Sequence, residues 1–85
     1  MTDKQRDAIS SRIACLLKEE REKRGLSLNK LARNAGLSRQ TISFIEREVQ
    51  NPTVDTLLRI TSALTIDLDK IIARARKYAK AKKSP

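Results

Sequence analysis

Two side chains just after Gly36, Arg39 and Gln40, have the clearest chemical use in this sequence. An arginine guanidinium presents a planar fork of donors that matches the two major-groove acceptors of guanine, and a glutamine amide can pair with adenine. Ser38, directly before them, is a residue type that begins helices. The spacing predicts that both side chains project from the first turn of a helix, where they can contact the edges of bases.

Three further residues of the same predicted helix, Thr41, Ser43 and Phe44, lie on its outward side or near its start. The two hydroxyl groups can reach bases or phosphates. Phe44 is the only phenylalanine in the chain. Its ring either packs on a thymine methyl group or is buried against the following helix, since aromatic side chains are usually at least partly buried. The predicted base-contacting set is Arg39, Gln40, Thr41, Ser43 and Phe44.

The composition removes most kinds of catalytic and metal site. The chain of 85 residues contains no histidine, one cysteine (Cys15) and two glycines. A structural zinc site needs about four nitrogen or sulfur ligands, and acid–base or triad catalysis by histidine has no histidine to use. A phosphate-cradling loop needs more glycines, and a disulfide within the chain needs a second cysteine. We expect no enzyme activity, no cofactor and no metal.

Charge and size indicate one small basic domain. Lysine and arginine number 19 against 10 acidic residues, which gives a net charge of +9. Such a balance is typical of proteins that bind nucleic acid or, more weakly, an anionic membrane. No apolar run approaches the roughly 18 residues of a membrane span, and the first seven residues lack the apolar segment of a signal peptide. The expected compartment is therefore the cytoplasm, with no membrane partner.

Glycine and proline divide the chain into helix-length pieces, and no strand pattern occurs between them. The fold class predicted is therefore all-α. The predicted helices span residues 2–24, 28–35, about 39–47, 54–64 and 68 onward, and the last four are capped by Ser27, Ser38, Thr53 and Asp67. The inner face predicted for the fourth helix consists of Leu57, Leu58, Ile60, Ala63 and Leu64.

The two short helices on either side of Gly36 have the layout of a helix-turn-helix. Ala32 is small enough for two helices to cross closely, and Gly36 can adopt the left-handed conformation of a sharp turn at little cost. Leu37 can fill the corner, while Ile42 and Ile45 anchor the second helix to the first. Such a unit holds its second helix outward, so that the helix N-terminus can enter a DNA major groove.

Three segments carry a specific resemblance: Leu-Ala-x-x-x-Gly-Leu-Ser at residues 31–38, Ile-Ser-x-Ile-Glu at 42–46 and Asn-Pro-Thr at 51–53. With further matches between residues 17 and 72, they resemble the Xre-type repressors, which include the lambdoid phage repressors and Cro proteins. The resemblance implies a five-helix repressor-like bundle that regulates transcription. It also implies a homodimer that reads a near-palindromic operator in double-stranded DNA. Restriction–modification controller proteins are small Xre-type proteins of this kind.

The resemblance also assigns roles to single residues. Arg39, Gln40 and Phe44 stand at positions that contact bases in the phage repressors. Arg21 and Glu46 match an ion pair that links the first helix to the third and leaves arginine donors free for a phosphate. We therefore expect loss of Glu46 to impair folding and DNA binding together.

Phosphate contacts are predicted where helices begin, because free N–H groups and the helix dipole attract anions. Nearby side chains add contacts that position the protein without reading sequence. Leu28 replaces a glutamine that often contacts phosphate in phage repressors, and Glu48 stands where the family often has glycine. The predicted phosphate-contacting set is Arg21, Ser27, Asn29, Lys30, Ser38, Arg47, Gln50, Asn51 and Thr53.

The last predicted helix is apolar on one face and basic on the other. The apolar face can pack on its own core, form a dimer seam or lie on an anionic membrane. We favour packing of residues 68–72 on the core and a homodimer seam that includes Ile71, Ile72, Ala75 and Tyr78, because operator reading usually needs two copies. The DNA-binding domain with its dimerisation helix then covers residues 1–79, and residues 80–85 form a frayed basic tail.

Three other functions compete with an operator-binding dimer. An antitoxin would bind DNA and also mask a partner protein, but the tail is basic whereas most such tails are acidic or apolar. An architectural or RNA-binding protein lacks stacking aromatics here, since aromatic residues make up 2% of the chain. An enzyme lacks a credible pair of nucleophile and base.

Overall fold

The computed structural model describes residues 1–81, which form five α-helices and no strand. The helices are α1 (Asp3–Lys23), α2 (Leu28–Ala35), α3 (Arg39–Glu46), α4 (Val54–Ala63) and α5 (Leu68–Ala81). Helix α1 packs against α3 and α5, and α2 packs against α3 and α4. The predicted all-α bundle is therefore confirmed, with element boundaries within about one residue of the expected ones for α1 to α4.

Side-chain caps explain where the helices begin. The Thr2 side chain accepts a hydrogen bond from the Gln5 backbone N–H at 3.1 Å, and the Gln5 side chain accepts one from the Thr2 N–H at 2.8 Å. This capping box satisfies donors that the first turn of α1 would otherwise leave unpaired. Ser27, Ser38 and Thr53 accept the corresponding backbone bonds at the starts of α2, α3 and α4. The caps predicted at Ser27, Ser38 and Thr53 are thus confirmed.

One apolar core joins all five helices. Its fully buried members come from every helix and are Leu16, Leu17, Leu31, Ile42, Ile45, Ile60, Leu64 and Ile71. Alanines at positions 32 and 75 complete it where helices approach closely. Because these side chains meet at one centre, the orientation of α3 depends on the packing of the whole bundle.

The predicted inner face of α4 was wrong at Leu58, whose side chain is exposed, and it omitted Thr61, which is buried. The Thr61 hydroxyl donates to the Leu57 carbonyl oxygen at 2.8 Å, so the helix itself satisfies the polar group. Leu57 lies on the border of the core and Ile60 in its interior. The buried face of α4 therefore includes Thr61 and excludes Leu58, so it differs from the face that the apolar residues alone predict.

One face of helix α5 packs into the core of its own chain. Ile71 and Ala75 are fully buried there, so these two residues of the predicted dimer seam are not available to a partner. The helix also continues through Lys80 to Ala81, beyond the boundary expected at residue 79. The remainder of the predicted basic tail, residues 82–85, lies outside the described part of the chain.

A buried carboxylate connects α1 to α5. Glu20 is almost inaccessible to solvent and forms ion pairs with Arg24, the residue that follows α1, and with Arg74 of α5, the latter at 3.2 Å. The hydrogen bond from Arg24, together with that from Arg74, holds the pKa of Glu20 below its ordinary value against the opposing effect of burial. The charge is therefore retained inside the bundle, where it joins the two longest helices.

Within residues 1–81, two residues that are not glycine adopt left-handed backbone conformations, Glu48 at φ 60° and Thr65 at φ 55°. A side chain in this region costs about 1–2 kcal/mol relative to glycine. Glu48 follows α3, at the position where the resemblance led us to expect glycine. Glu48 adopts the backbone conformation that glycine adopts most easily. The replacement of glycine by glutamate therefore strains the backbone at this position and does not change the conformation of the loop.

Replacing Glu48 with glycine is expected to stabilise the protein by about 0.5–1 kcal/mol, because relief of the strain exceeds the extra entropy of the unfolded chain. Urea unfolding followed by circular dichroism measures this free energy. Glu48→Gln is the matched control, since it removes the charge and keeps the Cβ atom. Equal stabilities for the two variants would show that the backbone at this position is not strained.

Candidate nucleic-acid interface

The turn between α2 and α3 sets the direction of α3. Gly36 has φ 68°, and the N–H of Leu37 donates to the Ala32 carbonyl oxygen at 2.9 Å, which closes the end of α2. Ile42 and Ile45 of α3 are buried against the core. With its inner face held in this way, α3 presents the other side of its first turn to solvent.

The first turn of α3 is accessible and carries the polar side chains expected there. Arg39 and Gln40 are both exposed. The Ser38 hydroxyl oxygen accepts from the Thr41 backbone N–H at 3.0 Å and lies 2.7 Å from the Thr41 hydroxyl oxygen. Ser38 and Thr41 are therefore engaged with each other, whereas Arg39 and Gln40 are exposed to solvent.

Ser43 and Phe44 are half-buried one turn further along α3. Phe44 is not among the partly buried apolar side chains that pack against the core. Its position lies between the two alternatives that the sequence left open, because Phe44 is neither buried nor fully exposed. The carbonyl oxygen of Phe44 accepts the Val49 N–H at 2.8 Å, so the residue also fixes the loop that follows α3.

An ion pair ties α3 to α1. Arg21 Nε lies 2.7 Å from Glu46 Oε2 and Nη2 lies 3.0 Å from Oε1, and the side chains are only 12% and 7% exposed. The Glu46 bonds raise the pKa of Arg21 despite the burial of the guanidinium. Arg21 Nη1 donates in addition to the Leu26 carbonyl oxygen at 2.7 Å.

Most of the N–H donors of the Arg21 guanidinium thus form hydrogen bonds within the protein. Of its five N–H donors, three serve Glu46 and Leu26. Two donors are left for the predicted phosphate contact, from a side chain with little accessible surface. The main role that the geometry supports for Arg21 is to orient α3.

The other predicted phosphate-contacting residues lie on the surface at helix starts and in the loop before α4. Ser27 accepts from the Lys30 N–H at 3.0 Å, and Thr53 accepts from the Thr56 N–H at 3.1 Å. These bonds use one N–H of each helix and leave other N–H groups of the first turn facing solvent. The remaining exposed members of the set are Asn29, Lys30, Ser38, Arg47, Gln50 and Asn51.

Sequence reasoning missed one residue next to the turn. A Cβ atom added at Gly36 would lie 3.3 Å from Arg59 Nη1, so Arg59 of α4 covers the turn between α2 and α3. Arg59 also donates through Nε to Asp55 Oδ2 at 2.9 Å. The i, i+4 spacing of Asp55 and Arg59 indicates the ion pair, but nothing in the sequence indicates the approach to Gly36.

Other kinds of site find no support in the described residues. Within residues 1–81 no group of acidic, cysteine or histidine side chains is arranged to hold a metal. None of the described helices is long and apolar enough to cross a membrane. The Cys15 thiol donates to Glu19 at 3.1 Å, and this hydrogen bond and burial raise the pKa of the thiol, which keeps it in the less reactive protonated form.

Comparison with known proteins gives a consistent result. A family model described as helix-turn-helix (HTH_3) matches residues 17–71. A putative HTH-type transcriptional regulatory protein of Methanocaldococcus jannaschii, MJ1164, is 46% identical over 55 residues, which is 65% of this chain and 17% of that protein. The HTH-type transcriptional regulator SutR of Escherichia coli is 36% identical over 61 residues, 72% of this chain and 34% of SutR.

Solved structures show the same similarity. The biofilm regulator SinR in complex with DNA has a TM-score of 0.66 at 31% identity, covering 71% of this chain and 97% of that one. The wild-type restriction–modification controller protein C.Esp1396I has a TM-score of 0.76 at 27% identity, covering 87% and 95%. The chain therefore spans only a part of the curated regulators that it matches, but nearly the whole of these two solved chains.

Proposed function

Because this chain belongs to the HTH_3 helix-turn-helix family, we propose that it is a sequence-specific regulator of transcription that binds double-stranded DNA. It acts in the cytoplasm as a homodimer on a near-palindromic operator, with α3 of each copy in a major groove. It needs no cofactor. The domain is not an enzyme, since its family and the relatives it matches are regulators.

The exposure of Arg39 and Gln40 on a helix with a buried opposite face is the observation that carries this proposal. Ile42 and Ile45 fix the inner face of α3, and the Arg21–Glu46 pair fixes its end. A rigidly held helix loses little freedom when its first turn enters a groove, so its contacts can discriminate between bases. SinR, of similar structure, is known in complex with DNA.

Contacts divide into those that read bases and those that position the protein. We assign Arg39 and Gln40 to direct readout, with Thr41, Ser43 and Phe44 as further base contacts. Phosphates are bound by the starts of α2 and α4 and by the side chains around them. That surface set is Ser27, Asn29, Lys30, Ser38, Arg47, Gln50, Asn51 and Thr53, with Arg21 in a minor role. Residues 1–79 carry this function, and the basic residues from position 80 either add affinity for any DNA or only increase solubility.

Selection of bound fragments from random duplex DNA tests the proposal. We expect a motif with two inverted halves whose centres are about one helical turn, roughly 34 Å, apart. Titration of a selected duplex then gives the stoichiometry, with two chains expected per duplex. Failure to enrich any motif would contradict sequence-specific binding, and a single asymmetric motif with one chain would contradict the dimer.

Arg39→Ala is expected to weaken binding to the selected duplex by about 1–3 kcal/mol and to relax the preference at one base position. The reason is that loss of a forked contact to guanine removes discrimination at that base pair alone. Arg47→Ala is the matched control, because removal of a phosphate contact weakens binding to all sequences alike. Competition experiments with selected and scrambled duplexes measure, for each variant, the ratio of its affinities for the two. If Arg39→Ala lowered both affinities equally, Arg39 would not read a base.

A further inference from the structure

A groove of about 270 Å³ lies between α1, the loop that follows α3 and the first turns of α4. Its floor is apolar, with Ile13 and Ala14 from α1, Ile45 from α3 and Leu57 from α4. These side chains lie at the edge of the core, where the three helices meet. We call this space, between α1 and the loop of residues 47–53, the acidic groove.

Two carboxylates line the acidic groove, and no lysine or arginine does. Asp7 belongs to α1, and Glu48 belongs to the loop after α3. Within residues 1–81 neither side chain forms an ion pair or a hydrogen bond. Such a concentration of negative charge stands out in a chain of net charge +9. The groove therefore attracts cations and repels anions.

The charge of Glu48 acts across the groove on α1. The pKa of the Cys15 thiol is raised by its hydrogen bond to Glu19, by burial and, to a smaller extent, by the charge of Glu48. Cys15 is the residue after Ala14, which forms part of the groove floor. The Glu48 carboxylate is therefore close to the wall that α1 contributes, on the same side of the molecule as Asp7.

Other polar groups of the lining are available to a ligand. Ser10 and Ser11 contribute hydroxyl groups from α1, and Gln50 and Asn51 contribute amide groups from the loop. None of these side chains forms a hydrogen bond within the described part of the chain. Hydroxyl and amide oxygens accept hydrogen bonds from N–H donors. An apolar floor with a few convergent polar groups is typical of sites for small molecules.

The lining also selects among cations. Metal ions such as Mg²⁺ and Ca²⁺ take six or more oxygen ligands, and no group of acidic, cysteine or histidine side chains within residues 1–81 is arranged to hold one. The apolar floor contributes nothing to the binding of an inorganic ion. It is matched by a ligand that has an apolar body as well as a charge. The volume is at the small end of ligand pockets, which span roughly 300–1,000 Å³.

We propose that the acidic groove binds a small organic ammonium compound, with the ammonium group between Asp7 and Glu48 and the apolar body on the groove floor. Occupancy strengthens the binding of DNA, and this second part rests on the proposed function. Gln50 and Asn51, which we assign to phosphate contacts, line the same groove. A bound cation offsets two negative charges that would otherwise repel the DNA backbone at this loop. DNA must in turn strengthen the binding of the ammonium compound by the same factor.

Titration of the isotope-labelled full chain with benzylammonium, followed by amide NMR spectra, tests the site without DNA. Benzyl alcohol and benzoate carry the same ring and differ in charge. We expect benzylammonium to shift the signals of residues 7–14 and 48–52, which line the groove or adjoin it. Benzyl alcohol is expected to bind about 10-fold more weakly, because it forms neither ionic contact. Benzoate is expected to leave these signals in place.

Variants at exposed positions separate the charge of the groove from its shape. Asp7→Asn and Glu48→Gln are each expected to lower the affinity for benzylammonium about 3-fold, and the double variant about 10-fold. Ser10→Leu fills the groove and keeps both carboxylates, so it is expected to abolish binding. Glu22→Gln removes a carboxylate from α1 outside the groove and is expected to bind as the native protein does. The dispersion of the same spectra shows whether each variant is folded.

The effect on DNA binding is measured by fluorescence anisotropy with a selected duplex. Saturating benzylammonium chloride is compared with sodium chloride at the same concentration. Cations in solution weaken DNA binding by competing for the phosphates, whereas a cation in the groove strengthens it. We expect the affinity of the native protein to rise about 3-fold relative to sodium chloride. No rise is expected in Ser10→Leu, which cannot hold the ligand.

Equal affinities for benzylammonium and benzyl alcohol, or native affinity in the double variant, would overturn the site. Spectral shifts confined to residues far from the groove would also overturn it. If the site were occupied and the affinity for DNA did not rise relative to sodium chloride, the coupling would be wrong. Failure of the proposed function gives a different result, because the protein would then bind benzylammonium in the groove and select no DNA motif.

Discussion

Raising the salt concentration from 50 to 200 mM is expected to weaken binding of the proposed homodimer to a selected duplex by on the order of 10³-fold or more. Each phosphate neutralised by a lysine or arginine releases a condensed counterion, and a dimer with about 6–10 phosphate contacts releases many of them. The excess of 19 basic over 10 acidic residues supplies the charge for this number of contacts. Fluorescence anisotropy with a labelled selected duplex measures the affinity at each salt concentration.

The slope of log affinity against log salt provides the control. Arg47→Gln removes one predicted phosphate contact from each copy and is expected to lower the magnitude of the slope by about two in the dimer. Glu22→Gln, at an exposed position of α1, changes the net charge by one unit per copy in the opposite direction and removes no cation, so it is expected to leave the slope nearly unchanged. A response to salt that is nearly flat would indicate that the protein does not bind a polyanion as its main target.

Glu46→Ala is expected to destabilise the protein by about 3–5 kcal/mol, because it leaves the buried Arg21 guanidinium without its carboxylate. Both side chains are largely buried, and the pair is bidentate, with N–O distances of 2.7 and 3.0 Å. A small domain has roughly 5–15 kcal/mol of total stability, so this variant is close to unfolding. Urea denaturation measures the loss.

The matched comparison separates the ion pair from the packing of the two side chains. Arg21→Met combined with Glu46→Leu removes both charges and fills the same space, and its stability is expected to be close to that of the native protein. Operator affinity should nevertheless fall, because α3 is no longer oriented by a directional pair. Glu22→Ala on the exposed side of α1 is a control for loss of a carboxylate. A loss below about 1 kcal/mol for Glu46→Ala would place the pair among ordinary surface ion pairs.

Local interactions made much of the fold predictable. The caps at Thr2, Ser27, Ser38 and Thr53 involve residues three positions apart, so the sequence indicates them directly. The left-handed turn at Gly36 is of the same local kind. These features set the length and order of α1 to α4, and with the anchoring of α3 they indicated that Arg39 and Gln40 are exposed.

The ion pair and the unusual loop residue of the site could be predicted only because the chain resembles a known family. The Arg21–Glu46 pair joins residues 25 positions apart, and no periodicity or charge pattern indicates it without that resemblance. The same resemblance marked Glu48 as unusual, and the structure explains the departure by a strained backbone at φ 60°. Neither the sequence pattern nor the resemblance predicted that Arg59 lies over the turn between α2 and α3.

By itself, the sequence determined that this chain forms capped helices around a helix-turn-helix and carries a large excess of positive charge. The tertiary structure alone fixed how far the buried face extends around α4 and α5. It enclosed Ile71, Thr61 and Ala75, and it left Val54 and Leu58 exposed. Glu20 was likewise joined to Arg74, which is 54 residues away. The physical reason is that helical periodicity shows an apolar stripe but not its width or its neighbour, which are set by how the other helices fill the space around it.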